Sequence, residues 1–259
     1  MTRFALLFAA PIALAASACV TMADTPAGSS ATIAAAVAAP DRPADARALD
    51  DSRKPVQVLE WLGVKPGMDV ADLISGTGYW AEIMAHVVGP KGHVTAYEPN
   101  QFYDDAKGNA LWSALEQRAP NVSMVRYPFE AFAPPANTLD AAIINLNYHD
   151  LYWTSEKYKI PRTDPRAWVR AMYAALRPGG VIGVIDHVGP AGDTRAIVDK
   201  LHRIDPAVVK ADFEAAGFKL VGTSDLLANP ADDHSKLVFD PAIRGKTDRF
   251  MYKFEKPRR

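Results

Sequence analysis

Hydrophobic and polar positions alternate along the chain in blocks that predict strands and helices in turn. The most informative block covers residues 68–87, where a short apolar run ends in the S-G-T-G segment at 75–78. The apolar residues that follow recur at helical spacing. This order predicts a strand, a glycine turn and a helix. Gly76 and Gly78 tolerate positive φ and let a ligand approach the backbone beside the unpaired N–H groups of the helix N-terminus.

Further apolar blocks predict the rest of the fold. Strands are expected at residues 93–98, 122–127, 139–146, 181–185, 218–227 and 249–254. Helices are expected at residues 51–62, 101–118, 164–176 and 205–216. The alternation of strands and helices favours an α/β fold. The expected sheet is Rossmann-like, doubly wound and mainly parallel, with seven strands. Because no helix is predicted between the last two strands, the C-terminal strand is expected to run antiparallel.

The N-terminus predicts export. Residues 1–23 read as a signal peptide, with Arg3 before an apolar stretch that is shorter than the ~20 residues of a membrane-spanning helix. The small residues directly before Cys19 resemble a bacterial lipoprotein cleavage box, so a lipid anchor at Cys19 is one interpretation. Simple cleavage after Ala18 or Ala23 is the other. The expected location is periplasmic, with membrane tethering if Cys19 carries lipid.

The composition of the rest of the chain indicates its domain organisation and excludes some kinds of partner and site. Residues 24–49 are rich in alanine and proline and predict a disordered tether, with an Ala-rich helix in part of it as an alternative. Residues 50–259 are expected to form one domain. A net charge of -1 gives no electrostatic case for nucleic acid as the main partner. Cys19 is the single cysteine, so the domain is expected to contain no disulfide and no thiolate metal site. The sequence does not indicate an oligomeric state.

Polar side chains follow four predicted strands at their carboxyl ends, where open α/β sheets bind ligands. These are residues 75–78, Glu98, residues 145–150 and the pair Asp186-His187. Glu98 lies about 20 residues beyond the glycine turn, the distance at which an acid can bond the hydroxyls of a ribose. The G-T-G-Y-W-A segment at 76–81 also fits the dinucleotide pattern G-x-G-x-x-A, which alone does not identify the nucleotide.

From about Asp51 to Glu255 the chain resembles the class I S-adenosylmethionine-dependent methyltransferases. It is similar, more closely, to a group of predicted exported bacterial methyltransferases with N-Y-H-D and H-R-I-D-P segments. The matching segments, in chain order, are V-A-D-L-I-S-G-T-G, A-Y-E-P, L-D-A-A-I-I-N-L and A-L-R-P-G-G-V-I-G-V-I-D. Two departures are Ile74, which stands where the family usually has its first glycine, and a third strand without the usual G-D-A.

The resemblance implies S-adenosylmethionine as cofactor and transfer of its methyl group, by in-line displacement, to a small-molecule acceptor. The implied and expected cofactor-binding residues are Asp72, Ser75, Gly76, Gly78, Tyr79, Glu98, Asn145 and Asn147. The candidate catalytic residues are His149 and His187 as general bases and Tyr148 as an orienting group. A structural role is the alternative for each histidine. No metal site is expected, because the histidines lack partners at ligand spacing.

Two other classes of protein remain open at this point. One is a ligand-binding protein on the same fold without turnover, which Ile74 and the altered third strand favour. The other is an NAD-dependent oxidoreductase, which the R-P-G-G turn and the helix-poor C-terminus disfavour.

Overall fold

The structure, a computed structural model, describes residues 27–258. The predicted signal peptide and Cys19 lie outside these residues. The α-helices are α1 (Ala27–Val37), α2 (Ala44–Arg47), α3 (Asp50–Arg53), α4 (Pro55–Leu62), α5 (Tyr79–Val88), α6 (Ala106–Arg118), α7 (Pro165–Ala175), α8 (Thr194–Leu201) and α9 (Pro206–Ala215). The strands are β1 (Asp69–Leu73), β2 (His93–Pro99), β3 (Val122–Tyr127), β4 (Leu139–Asn145), β5 (Leu176–His187), β6 (Lys219–Ser224) and β7 (Arg249–Glu255). Short 3₁₀ helices cover Gly89–Lys91 and Tyr148–Tyr152. Among the helices described, none is long and apolar enough to cross a membrane.

The seven strands form one sheet in the order β3-β2-β1-β4-β5-β7-β6. Strands β1 to β5 run parallel, and β7 pairs antiparallel with both β5 and β6. The predicted fold class is therefore confirmed, including the antiparallel strand near the C-terminus. Strand order reverses between β1 and β4, which places the carboxyl ends of these two strands at the switch point where such sheets bind ligands.

Apolar side chains cover both faces of the sheet, as expected for parallel strands with helices on both sides. One core cluster gathers residues of α1, α4 and α5, among them Ile33, Leu59 and Ile83. The other gathers residues of α7 and α9 with Leu73 and Ile144 of the central strands. The sheet is thus enclosed in a three-layer arrangement, and only its strand ends and edges remain for chemistry.

The segment predicted as a disordered tether over residues 24–49 is ordered from Ala27 onwards. Helix α1 buries Ile33 and Ala36 in the first core cluster. Arg42 is buried and donates two hydrogen bonds to the carboxylate of Asp50, at 2.9 and 2.8 Å. Of the two alternatives given for this segment, the structure has the Ala-rich helix, because a few apolar residues suffice for burial when neighbouring helices supply the rest of the surface.

Three helical details also differ from the sequence-based expectation. The first predicted helix is broken at Lys54, which takes a left-handed φ of 47° between α3 and α4. Helix α6 begins at Ala106 rather than at residue 101, because the carboxylate of Asp105 caps it by accepting from the Gly108 N–H. Helix α8 was not predicted. It spans eight residues, is capped by Asp193 and buries Val198 and Leu201.

Candidate functional site

The glycine turn joins β1 to α5 at the sheet switch point. Gly76 and Gly78 have φ values of 61° and 78°, which L side chains rarely adopt. A Cβ on Gly78 would also lie 2.4 Å from the Leu115 side chain, so both backbone angle and packing require glycine there. The predicted order of strand, glycine turn and helix is thus confirmed, and the Tyr103 ring lies beside the turn at Gly76.

Asp72, at the end of β1, fixes the start of α5 from below the turn. Its Oδ2 accepts from the Ala81 N–H at 2.9 Å, which satisfies one of the unpaired donors of the helix. Burial raises the pKa of Asp72 to about 7, against the stabilising effect of the Ala81 amide and the Arg53 guanidinium. Ser75 donates from Oγ to the Asp72 carbonyl at 3.4 Å. Asp72 and Ser75 thus shape the turn from inside.

Glu98, at the end of β2, is fully buried beside the same turn. Its Oε2 accepts from the Gly76 N–H at 2.7 Å. Its Oε1 is buried and has no hydrogen-bond partner among the described residues. Burial raises the pKa of Glu98 to about 8. A buried oxygen without a hydrogen-bond partner costs free energy until a donor reaches it. Oε1 of Glu98, next to the glycine turn, is therefore suited to accept from a ribose hydroxyl.

Ile74 directly precedes the turn in a left-handed conformation, with φ of 51°. Its side chain is 3% exposed and belongs to the second core cluster together with Tyr97. The side chain therefore packs into the sheet layer, and the backbone takes the conformation that a glycine would adopt more easily. The side chain at this departure from the family pattern is thus directed into the core and not over the turn.

Other predicted cofactor residues are held by neighbouring side chains. Tyr79 donates its hydroxyl to Oδ1 of Asp50 at 2.7 Å. The Arg53 guanidinium lies 4.3 Å from the centroid of the Tyr79 ring, a cation–π contact. Asn145 is buried at the end of β4, and Asn147 donates from Nδ2 to Oδ2 of Asp150 at 3.2 Å. These positions line or support the crevice, and their cofactor-binding roles stay predictions.

His149 is the candidate catalytic residue with the most developed set of contacts. Its Nδ1 lies 2.8 Å from Oδ1 of Asp186, and its backbone N–H donates to Oδ2 of the same carboxylate at 2.9 Å. Burial opposes charge on the imidazole, but Asp186 and Asp150 outweigh it and raise the pKa of His149 to about 9. The sequence placed Asp186 on the next strand end but did not reveal this pairing.

The other two candidate catalytic residues differ from His149. His187 has its Nδ1 2.6 Å from Oγ1 of Thr247, and burial lowers its pKa to about 3, so its ring is neutral. Tyr148 is fully buried in the second core cluster and donates its hydroxyl to Oδ2 of Asp212 at 3.0 Å. Tyr148 packs against Trp168 of α7 and Phe213 of α9, and its role in orienting an acceptor stays a prediction.

Two residues of the crevice were not among the predicted site residues. His202 ends α8 with φ of 49° and brings its ring within 5.5 Å of the His149 ring, centroid to centroid. The H-R-I-D-P segment was a signal for it, although that segment also predicts the Asp205 cap, which the structure confirms. Arg53 approaches the turn from α3, and the sequence carried no signal for this position.

Trp153 and Phe239 flank His202, with ring centroids 4.9 and 5.2 Å from the imidazole. His202 is partly accessible, whereas His149 is buried. The two imidazoles thus lie next to aromatic rings, and little of the His149 side chain reaches the surface.

Sheet order, glycine turn and buried acid together define the class I S-adenosylmethionine-dependent methyltransferase fold. Residues 53–138 match the family model of protein-L-isoaspartate(D-aspartate) O-methyltransferase. The chain is 30% identical over 146 residues to the ubiquinone/menaquinone biosynthesis C-methyltransferase UbiE of Shewanella woodyi, a match that covers 56% of this chain and 52% of that protein. The chain therefore spans about half the length of the curated relatives it matches.

Solved structures share the architecture. A methyltransferase of Aquifex aeolicus that depends on S-adenosylmethionine aligns with a TM-score of 0.57 at 20% identity, covering 83% of this chain and 98% of that one. Phosphoethanolamine N-methyltransferase 2 of Haemonchus contortus, in complex with S-adenosylmethionine, aligns with a TM-score of 0.55 at 13% identity, covering 80% and 53%. At these identities the likeness concerns the fold.

Proposed function

We propose that this protein is an S-adenosylmethionine-dependent methyltransferase acting on a small-molecule acceptor. The observation that carries the proposal is the open Oε1 of Glu98, buried beside the Gly76–Gly78 turn at the sheet switch point. When bound, S-adenosylmethionine supplies a methyl group on a sulfonium, which a lone pair of the acceptor displaces in line to leave S-adenosylhomocysteine. Because the leaving group is already activated, the chain contributes mainly position and alignment.

The residues divide between the two ends of the crevice. On the cofactor side, Glu98 accepts a hydrogen bond from the ribose. The glycine turn and the N-terminus of α5 accommodate the part of the cofactor that is attached to the ribose. On the acceptor side, His149 lies beside His202, which contacts Trp153. Since His149 is only 3% exposed, a small molecule reaches it more easily than a side chain on a folded macromolecule.

The relatives do not fix the acceptor. The matching family is named for isoaspartate and aspartate and the relative from Shewanella woodyi for ubiquinone and menaquinone, so the two names differ in the acceptor. The proposal therefore specifies the acceptor only as a small molecule that fits beside the imidazoles and aromatic rings of this site.

Export is a separate part of the proposal. It is supported by Arg3, the apolar stretch after it and the small residues before Cys19. Mass spectrometry of the mature N-terminus tests it: an acylated Cys19 indicates a lipid anchor, and a free residue 19 or 24 indicates simple cleavage. An intact Met1 would contradict export.

Calorimetric titration of the purified protein tests the cofactor assignment. We expect S-adenosylmethionine to bind and NAD not to bind. At a pH above 8, where Glu98 is ionised, replacing it by alanine removes charged hydrogen bonds of about 1.5–3 kcal/mol, so the affinity should fall about 10- to 100-fold. Glu214→Ala, which removes an exposed carboxylate on α9, is the control and should bind normally. Equal affinity of the Glu98 variant and the wild type would refute the placement of the ribose.

Turnover needs its own measurement. Release of S-adenosylhomocysteine in the presence of candidate acceptors distinguishes an enzyme from a protein that only binds the cofactor. Binding without release across phenols, thiols, amines and quinols would contradict the enzymatic part of the proposal.

A further inference from the structure

Three potential metal ligands meet at the acceptor end of the crevice. They are Nε2 of His149, Oδ1 of Asp150 and Nδ1 of His202. Two come from the 3₁₀ helix after β4, and the third arrives from the end of α8, where the left-handed backbone of His202 directs its ring toward them. The sequence-based exclusion of a metal site considered spacing along the chain and therefore missed this cluster.

The distances within the trio suit ligands of one ion better than mutual hydrogen bonds. His149 Nε2 lies 3.5 Å from Asp150 Oδ1, and His202 Nδ1 lies 3.9 Å from the same oxygen. Both exceed the ~2.7–3.2 Å of a hydrogen bond. Ligands about 2.05 Å from a tetrahedral ion are about 3.3 Å apart, close to the first of these distances. All ligand atoms lie within 4.8 Å of one another.

Surrounding side chains prepare these atoms for coordination. Asp186 accepts when ionised, so in the neutral imidazole of His149 the proton is on Nδ1 and the lone pair is on Nε2. A metal ion bound at Nε2 takes the place of the second proton that the imidazolium carries there. A carboxylate behind a histidine ligand is the usual second layer of a metal site. Asn147 occupies Oδ2 of Asp150 and leaves Oδ1 to face the two imidazoles.

Charge in the cluster also favours a cation. Asp150 and Asp186 are both buried, and within residues 27–258 their ion-pair partners are histidines, not lysine or arginine. Buried carboxylates of this kind are stable when they are paired or coordinate a metal. Two imidazoles and one carboxylate suit zinc and neighbouring transition metals, whereas Mg²⁺ and Ca²⁺ prefer oxygen ligands.

We propose that His149, Asp150 and His202 bind one divalent transition-metal ion of the zinc type, with Asp186 as a positioning residue behind His149. Three protein ligands leave an open coordination position, which is typical of catalytic rather than structural sites. An acceptor oxygen or sulfur in that position would lose its proton more easily and attack as an anion. This last role rests on the proposed methyl transfer, whereas binding of the ion does not.

Titration of the chelator-treated full-length protein with ZnCl₂, CoCl₂ and MgCl₂, in the absence of S-adenosylmethionine, tests the site. We expect one Zn²⁺ per chain, no comparable Mg²⁺ binding, and intense visible bands from bound Co²⁺ in a low-coordinate nitrogen and oxygen environment. Asp150→Asn and His202→Gln should abolish stoichiometric Zn²⁺ binding. Asp186→Asn should weaken it by about 10- to 100-fold, the usual effect of losing a partner behind a metal ligand.

His187→Gln is the matched control, since this histidine lies in the same crevice but bonds Thr247 and is outside the trio. It should keep the wild-type Zn²⁺ affinity. The proposal is overturned if the wild type fails to bind Zn²⁺, if Co²⁺ shows only the weak bands of the hydrated ion, or if His187→Gln lowers affinity as much as His202→Gln. Because no methyl transfer is measured, a negative result here leaves the cofactor assignment untouched, and the Glu98 titration can fail independently.

Discussion

Ile74 combines a buried β-branched side chain with a left-handed backbone, and the two features have opposite energetic signs. Truncation to alanine removes the packed side chain and should cost about 2–5 kcal/mol of unfolding free energy. The left-handed conformation itself costs an L residue about 1–2 kcal/mol, which glycine does not incur. Glycine loses about 0.5–1 kcal/mol relative to alanine through backbone entropy. Ile74→Gly should therefore be more stable than Ile74→Ala by about 0.5 kcal/mol, within a range of about 0–1.5 kcal/mol.

Urea unfolding of both variants, followed by circular dichroism, measures this difference. The control pair is Ile143→Ala and Ile143→Gly, in the middle of β4, where the side chain is equally buried and the backbone is extended. There glycine should be the less stable of the two. If Ile74→Gly is also less stable than Ile74→Ala, by as much as at Ile143, the inferred backbone strain is refuted.

The same glycine variant addresses access to the cofactor site. Because the Ile74 side chain packs into the core layer, its removal should leave the affinity for S-adenosylmethionine within about threefold, less than 1 kcal/mol. A tenfold gain would show that the side chain obstructs the turn.

Three further predictions concern buried charges. Asp232→Ala leaves the buried Arg203 guanidinium without its carboxylate partner and without the two hydrogen bonds of 3.0 and 2.9 Å to it, and should cost about 3–5 kcal/mol in thermal or urea unfolding. A cost below about 1 kcal/mol, as for an exposed pair, would contradict this. Burial raises the pKa of Glu98 from 4.5 to about 8, so the unfolded chain ionises first and wild-type stability should fall between these values as pH rises. Glu98→Gln should remove that part of the pH dependence, and parallel urea-unfolding profiles of variant and wild type would refute it. Arg42→Ala breaks the pairing with Asp50 and should lower the melting temperature, whereas an unchanged melting temperature would show that the segment before α3 adds little stability.

The fold followed from the sequence where local patterns and tertiary packing agree. Residues 139–146 are apolar throughout, which is typical of a strand buried on both faces, and β4 lies there. The acid before proline at Asp164 and Asp205 predicted two helix starts that the structure has. The segment around Ile33 could not be assigned in this way, because only contact with distant helices makes its few apolar residues a core.

The site was predictable in part, for a similar reason. The glycine turn and Glu98 belong to one local unit of strand, helix and strand, and their distance along the sequence is typical of such a unit. The contact between them could therefore be predicted. The trio around His149 depends on where α8 ends, more than 50 residues further along the chain, and only the fold brings His202 beside Asp150. Tyr148 is buried although its neighbour His149 belongs to the site, because a position next to a site residue says nothing about which way the side chain points.

The position of β7 between β5 and β6 has a consequence for how the sheet is completed. It pairs with seven residues of β5 on one side and with β6 on the other, although β6 precedes it in the chain. During synthesis β6 therefore emerges before the strand that must separate it from β5. Until β7 arrives, β5 presents an unpaired edge, the kind of surface that templates aggregation. Folding of this sheet is consequently expected to finish from the C-terminal side, and a chain halted before Arg249 should bind chaperones or associate rather than fold.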